Sequence, residues 1–415
     1  MTEKDKKPKE EWLEEDGEGV LFPSPGESPL FDGPELLRPH DIRALEEAEK
    51  VEAIVQDDTL DEPAKIDAIA EVRNWFSGST ETIDAFLAGD IDTETAVTKL
   101  AVPIEKAYST ADYGRAYYHA EMTARSQRPV YSPEKALELW GPEEDWPEPS
   151  LPANENENET ETESTEGSTE GHLWSLWYAI LHAAKRIPWT DTVEQERLLA
   201  LVQALKQRPD PPPPSPMTTP LKRNWIWEDG TLWSTLSMLG PSAREAWNDC
   251  CGCGAGWTVP EQHAWTSVNA FVARLVASGT SGALALYGDW ALGDAVETVP
   301  RSAGLHVKAA AATQLAVKVT VACVWIQIAG RYMWNLRTDE GVPPDLRVAD
   351  LGARENKLPW YGRKKGAEEA RRCTVRWDFW RRRLEQEGEN GELPEEVREL
   401  ARGSAEVIGK FFEGY

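Results

Sequence analysis

The run from Leu173 to Ile187 restricts this chain more than any other. Leu173, Trp174, Leu176, Trp177, Ile180, Leu181, Ala184 and Ile187 recur at spacings of three and four, which lays a wide apolar stripe along one side of an α-helix. Such a stripe must be covered by other elements, and the rest of the sequence offers mainly more helices. Leu45, Ala48, Val51 and Val55 repeat the period, as do Ile66, Ile69, Ala70 and Trp75. Trp265, Val268, Val272, Leu275 and Val276 do so again, and Cys373, Trp377, Trp380 and Leu384 fall at the 4-3-4 spacing of one helix face. Nowhere do two alternating runs flank a tight turn, so almost no β structure is expected. The expected fold class is all-α, a multi-helix globular array.

Prolines and polar residues set the expected boundaries. Pro63, Pro241, Pro260 and Pro394 each stand where a helix can start without losing a hydrogen bond. Thr192 with Gln195 reads as a capping box opening a helix that must stop before Pro209. Thr93 to about Lys99 reads as a short helix, and a long one is expected over roughly Gly304 to Leu336.

Two polar segments divide the chain. Residues 1–40 are charged and rich in Pro and Gly, and are expected to form a disordered tail. Residues 141–170 hold 11 acids and no base and run into ANENENETETESTEGSTEG, an acidic low-complexity linker. Between them lies an N-terminal helical subdomain, 41–140, expected to pack onto the main helical domain, 171–413. The net charge is −28, and residues 1–60 together with 141–170 carry −22 of it. The folded part is therefore close to neutral for its size. No concentrated basic footprint is present, so nucleic-acid binding is not expected. The mild basic excess over 331–385 reads as a solvated face.

Five Cys, an odd number, argue against a disulfide framework. The N-terminus lacks the apolar core of a signal peptide. The apolar run from Val319 to Ala329 falls short of the roughly 20 residues that span a bilayer, so no membrane segment is expected. Cytoplasmic placement follows, with the nucleus as the other option.

Catalytic signatures are scarce. Cys250, Cys251 and Cys253 with His263 downstream are the strongest metal candidate, but CCGC offers adjacent thiols and no second ligand pair, so no metal is expected. GCGAG at 252–256 follows a helix rather than a strand and is no dinucleotide loop. No cofactor is expected. Arg274 could meet Asp289 or Asp294 if the helices on either side of SGTSG pack antiparallel. In RWDFWRRR, helical spacing turns the two Trp inward and the Arg outward.

Several motifs in order, HLWSLWYAILHAAKRIPW, QERLLALVQALKQRPDPP, LWSTLSMLGPSAREAW, WTSVNAFVARLVASG, LYGDWALGDAVE and RWDFWRRRLEQ, resemble a fungal family, the domain of unknown function 3632 (DUF3632), over about 170–412. The upstream FLAGDIDTETAVTKLAVP is also similar to that family's N-terminal helices. The resemblance implies a fungal, intracellular, helical protein and supplies no active site. Some such proteins are encoded near secondary-metabolism genes.

The 19 Trp against 8 Phe then matter most, because an indole combines a large apolar area with one N–H that needs an acceptor when buried. They imply aromatic packing layers or an amphipathic cleft. The residues placed to carry a ligand are Trp174, Trp177, Trp377 and Trp380 as aromatic walls, with Arg274, Asp294, Glu297 and Arg381 as polar groups. A non-catalytic protein binding a small molecule or a protein partner is the first expectation. An enzyme or accessory factor of fungal secondary metabolism is the alternative.

Overall fold

The computed structural model describes residues 39–109, 132–134, 137, 168–212, 231–297, 309–337 and 373–414. Most of the expected tail and linker, the Tyr113–Tyr118 stretch, the start of the expected long helix and five of the eight residues 133–140 lie outside these residues. Twelve α-helices and no strand occur among the described residues, so the fold is all-α. Residues 44–415 form one contact unit.

Helices α1 (Pro39–Val55), α2 (Glu62–Arg73), α3 (Glu81–Ala88) and α4 (Thr93–Ser109) come first. In α1 only Val51 of the expected stripe is fully buried, and Leu45 is exposed. Asp61 caps α2 by accepting from the Ala64 N–H at 2.9 Å, Pro63 sits in the first turn, and Asn74 in the left-handed region ends the helix. Helix α4 runs ten residues beyond Lys99, straight through Pro103. The ring removes one backbone hydrogen bond there, but Ala101, Ile104, Ala107 and Tyr108 are all buried, and their packing outweighs it.

Helix α5 (Thr169–Arg186) starts inside the expected acidic linker, because the Ser168 hydroxyl accepts from the Gly171 N–H at 3.0 Å. It stops where Pro188 forces Ile187 into extended backbone. Helix α6 (Thr192–Gln207) corrects the expected capping box. Asp191 is the cap, accepting from the Glu194 N–H at 3.1 Å, while Gln195 is buried and donates to the Ile187 carbonyl at 3.0 Å. Then follow α7 (Leu239–Trp247), α8 (Val259–Ala277), α9 (Ala285–Leu292) with a π-turn over Gly293–Glu297, α10 (Ala311–Asn335), α11 (Thr374–Gly388) and α12 (Glu395–Phe412).

Helix α8 is central. It packs most heavily on α10, then on α5, and touches α2 and α6. Helix α10 carries the stack outward to α12, which pairs with α11, while α3 and α4 cover α5 and α6. Gly288 lets α9 lie directly on α10, since a Cβ there would stand 2.7 Å from the Trp325 ring and from the Met333 sulfur. By length and composition α10 is the one described helix that could cross a membrane, its apolar stretch being longer than Val319–Ala329 suggested. Val319, Cys323, Trp325, Ile326 and Met333 are buried in the protein's own interior.

The buried indoles hold this stack by their N–H groups. Trp177 Nε1 donates to the Ser237 carbonyl at 2.6 Å, Trp233 Nε1 to Glu105 at 2.9 Å and Trp325 Nε1 to the Asn269 amide oxygen at 2.9 Å. Asn269 in turn donates to the Trp265 carbonyl at 2.9 Å, so it closes α8 onto α10 with both ends of its amide engaged.

A polar seam joins α5 to the N-terminal helices. His182 Nε2 lies 2.7 Å from Asp67, and Arg186 reaches Asp67 and Asp84. Lys185 is buried, pairs with Asp249 at 2.6 Å and lies 4.4 Å over the Trp75 ring. The His182 ring stacks on Phe76 at 4.6 Å. Its burial holds the imidazole below its ordinary pKa, outweighing the Asp67 carboxylate beside it. The neutral ring donates from Nε2, consistent with a buried Nδ1 that has no partner.

The sign of the pH effect follows. Unfolded His182 takes up its proton as pH falls through about 6.5, and the folded ring does so only lower. Stability from the neutral ring is complete above that pH and is lost as pH falls from there through the folded value. In urea denaturation between pH 7.5 and 5.5, the parent protein should lose stability on the acid side, and His182→Gln should flatten that slope. Equal slopes for the two would refute the assignment.

Candidate functional site

The loop Asn248–Trp257 joins α7 to α8 and is fastened from both sides. Gly252 adopts φ +88°, and any Cβ there would also stand 2.9 Å from the Trp257 ring, so the position needs glycine. The buried Glu261 carboxylate accepts from the Gly256 N–H at 2.8 Å, from the Thr258 N–H at 3.0 Å and hydroxyl at 2.8 Å, and from Arg73 Nε at 3.0 Å. Every contact of that carboxylate is a donor, which is what a buried charge requires. From α2's end, Trp75 Nε1 donates to the Gly254 carbonyl at 2.9 Å.

The loop so held forms one wall of a cleft of about 340 Å³. Trp247, Trp257, Trp265 and Trp290 line it, from α7, the loop, α8 and α9. Trp247 is the hub. It meets Trp265 edge-on at 4.9 Å and Trp290 at 6.1 Å, and stacks on Tyr287 at 4.6 Å. Val317 and Val321 of α10 and the side chains of Cys250 and Cys251 complete the apolar lining.

Three charged groups stand at the cleft. Arg244 lies 5.6 Å over the Trp290 ring and donates to Asn248 at 3.0 Å. Lys318 pairs with Asp294 at 3.1 Å, both partly exposed. Two cations against one carboxylate leave the rim positive. Neither lining thiol is ionised enough to open a nucleophilic attack. Burial, with the nearby Cys253 and Asp294, pushes Cys250 up to about 12, and burial beside Glu261 pushes Cys251 higher still. Among the described residues the lining contains no His and no second carboxylate, so no described base sits beside a nucleophile within it.

The ligand residues expected from sequence scatter. Asp294 alone lines this cleft. Trp177, Trp377 and Trp380 are fully buried core. Trp174 stacks on Tyr178 at 5.2 Å and lines a second, more polar groove of about 460 Å³ with Trp75 and Asp249. Arg274 meets neither Asp289 nor Asp294. It pairs with Glu196 at 3.4 Å and donates to the Trp189 carbonyl at 3.3 Å, because it lies two residues from Val272 and Val276, roughly on the opposite face of α8. Arg381 is spent on its own helix, with Asp378 at 2.8 Å and with Glu385. Trp265, expected on a core stripe, is buried and also lines the cleft, and sequence reasoning passed over Trp257, Arg244 and Lys318. The one signal for them was the clustering of Trp247, Trp257 and Trp265 around a Gly-rich loop.

The outward placement of every Arg in RWDFWRRR is also corrected. Arg376 is buried and gives both Nε and Nη2 to Glu297, at 2.6 and 3.1 Å. The same carboxylate accepts from Trp380 Nε1 at 2.6 Å. Glu297 is therefore a structural acceptor, bridging the π-turn to α11. Removing one partner of a buried pair is costly, whereas exposed pairs within a helix contribute little. Glu297→Ala should cost about 3–5 kcal/mol in chemical denaturation, and Arg381→Ala less than about 1 kcal/mol. Comparable losses for the two would overturn this division.

A family model described as Protein of unknown function (DUF3632) matches residues 177–384. That span runs from the Trp177 anchor in α5 to Leu384 in α11 and contains the whole cleft. It is narrower than the resemblance read from the motifs, leaving out α1–α4 and α12. No curated protein and no solved structure matches the chain. The match covers half of the 415 residues, and the chain belongs to the DUF3632 family of proteins of unknown function.

Proposed function

We propose that this chain is a non-catalytic binding protein whose tryptophan cleft takes a small planar apolar molecule carrying an anionic group. The observation that carries this reading is the lining itself, four indoles around about 340 Å³ with Arg244 and Lys318 at the mouth. Aromatic walls favour stacking of a flat ring. The positive rim favours a carboxylate, sulfate or phosphate over an ammonium, although the same indoles alone would suit a cation. The protonated thiols and the absence of a base beside them in the lining support binding over turnover.

An accessory role in fungal secondary metabolism is compatible with such a cleft and rests on the family resemblance alone. A reducing cytosolic or nuclear location fits the absence of disulfides among the described cysteines.

Three probes with one ring and different charge test the proposal: naphthalene-2-carboxylate, 2-naphthamide and 2-naphthylmethylammonium, titrated calorimetrically into the full chain. The carboxylate should bind tightest and the ammonium weakest. Trp290→Ala should weaken all three by roughly three- to tenfold, the usual size of a lost aromatic contact. Lys318→Ala should weaken the carboxylate alone. Tightest binding of the ammonium, or affinities untouched by Trp290→Ala, would reject the reading.

A further inference from the structure

The binding role leaves one group of side chains unused, the thiols of the loop. Cys250 and Cys253 are spaced as Cys-x-x-Cys, the spacing of reversible dithiols. The backbone between them is closed into a turn, with the Cys253 N–H donating to the Cys250 carbonyl at 2.9 Å. Gly252 at φ +88° makes that turn possible, and its N–H donates to the Ala255 carbonyl at 2.9 Å. The Ala255 N–H returns to the Cys250 carbonyl at 3.2 Å, and the Gly254 N–H to the Asn248 carbonyl at 2.9 Å. A turn of this kind brings its end Cα atoms within about 7 Å, and a disulfide needs about 4.4–6.8 Å. The two thiols are near enough that Cys253 helps hold the Cys250 thiol protonated. Exposure is asymmetric in a useful way, Cys253 being exposed and Cys250 half-buried against the cleft. Cys251 lies beside Glu261.

We propose that Cys250 and Cys253 form a reversible dithiol–disulfide pair that exchanges with low-molecular-weight disulfides such as that of glutathione. The exposed Cys253 thiolate attacks one sulfur of the oxidant and releases one glutathione thiolate. The Cys250 sulfur then attacks the Cys253 side of the mixed disulfide, loses its proton and expels the second glutathione. Two protein thiols are oxidised by two electrons while one glutathione disulfide is reduced to two glutathione molecules. Burial of Cys250 keeps little of it ionised, so the second step is the slow one. Cys250 also lines the cleft, so closing the pair changes one wall of it. That consequence rests on the binding reading, whereas the thiol chemistry does not.

The test is mass spectrometry of the reduced full-length chain exposed to glutathione disulfide at neutral pH, with peptide mapping over time. The expected course is a glutathione adduct on Cys253 that rises and then decays into a Cys250–Cys253 disulfide, two hydrogens lighter and fully reversed by dithiothreitol. Cys250→Ser and Cys250→Ala should hold the adduct on Cys253, Cys253→Ser should acquire neither adduct nor disulfide, and Cys251→Ser should behave as the parent. The proposal is overturned by a parent adduct as persistent as that of Cys250→Ser, or by a disulfide that engages Cys251. None of these readouts depends on ligand binding.

Discussion

A buried indole N–H favours an acceptor, because an unmet donor in the interior costs about 1–3 kcal/mol. Trp177, Trp233, Trp325 and Trp380 meet that requirement across the helical stack, whereas the buried Trp377 N–H has no acceptor. Trp177 binds a carbonyl 60 residues away, Trp233 a carboxylate 128 residues away and Trp380 a carboxylate 83 residues away. These bonds tie α5 and α4 to the turn that precedes α7, and α11 to the π-turn that follows α9. Trp325 with Asn269 ties α8 to α10, the helix on which α8 packs most heavily. The acids that accept from indoles also accept from arginines. Glu105 serves both Trp233 and Arg208, and Glu297 serves both Trp380 and Arg376. Each such carboxylate is compensated more than once, which makes a charge tolerable in an apolar interior.

The helices themselves were legible in the sequence, because period, proline and cap are local signals. The stripe of α5, the start of α8 near Pro260 and the face of α11 all stand where their residues put them. What misled was also local. Thr192 and Gln195 have the spacing of a capping box, yet Gln195 is drawn into the core between α5 and α8, and Asp191 does the capping. The helix expected to end near Lys99 runs on through Pro103, because burial of Ala101, Ile104 and Ala107 outweighs the lost hydrogen bond. Arg376 has the periodicity of a surface residue only if its neighbours are solvent, and Glu297 arrives from another helix to receive it.

The site was less legible for the same reason. Period tells which residues face inward, but not whether the inward face is closed. Trp177, Trp377 and Trp380 meet a full complement of neighbours and become core, while Trp247 and Trp290 are only partly buried and, with one side of the buried Trp265, become a wall. In sequence these two sets are alike, since both lie on apolar stripes. The difference is set by what covers them, and the cover is a Gly-containing loop with no periodic signal.

The loop's own support then decides how far the cleft belongs to the part of the chain that matches the family. The aromatic hub, Trp247 with Tyr287, Trp265 and Trp290, lies wholly within residues 177–384. The restraints on the wall facing it do not. Arg73 grips Glu261 and Trp75 grips Gly254, both from the end of α2, and Lys185 lies over Trp75 while holding Asp249. A loop with few apolar contacts of its own takes its local stability from such ties. The N-terminal helices are thus a buttress for one side of the cleft, and they tie its wall to the polar seam of α5. The charged seam, the two loop thiols and the aromatic lining meet in the ten residues from Asn248 to Trp257.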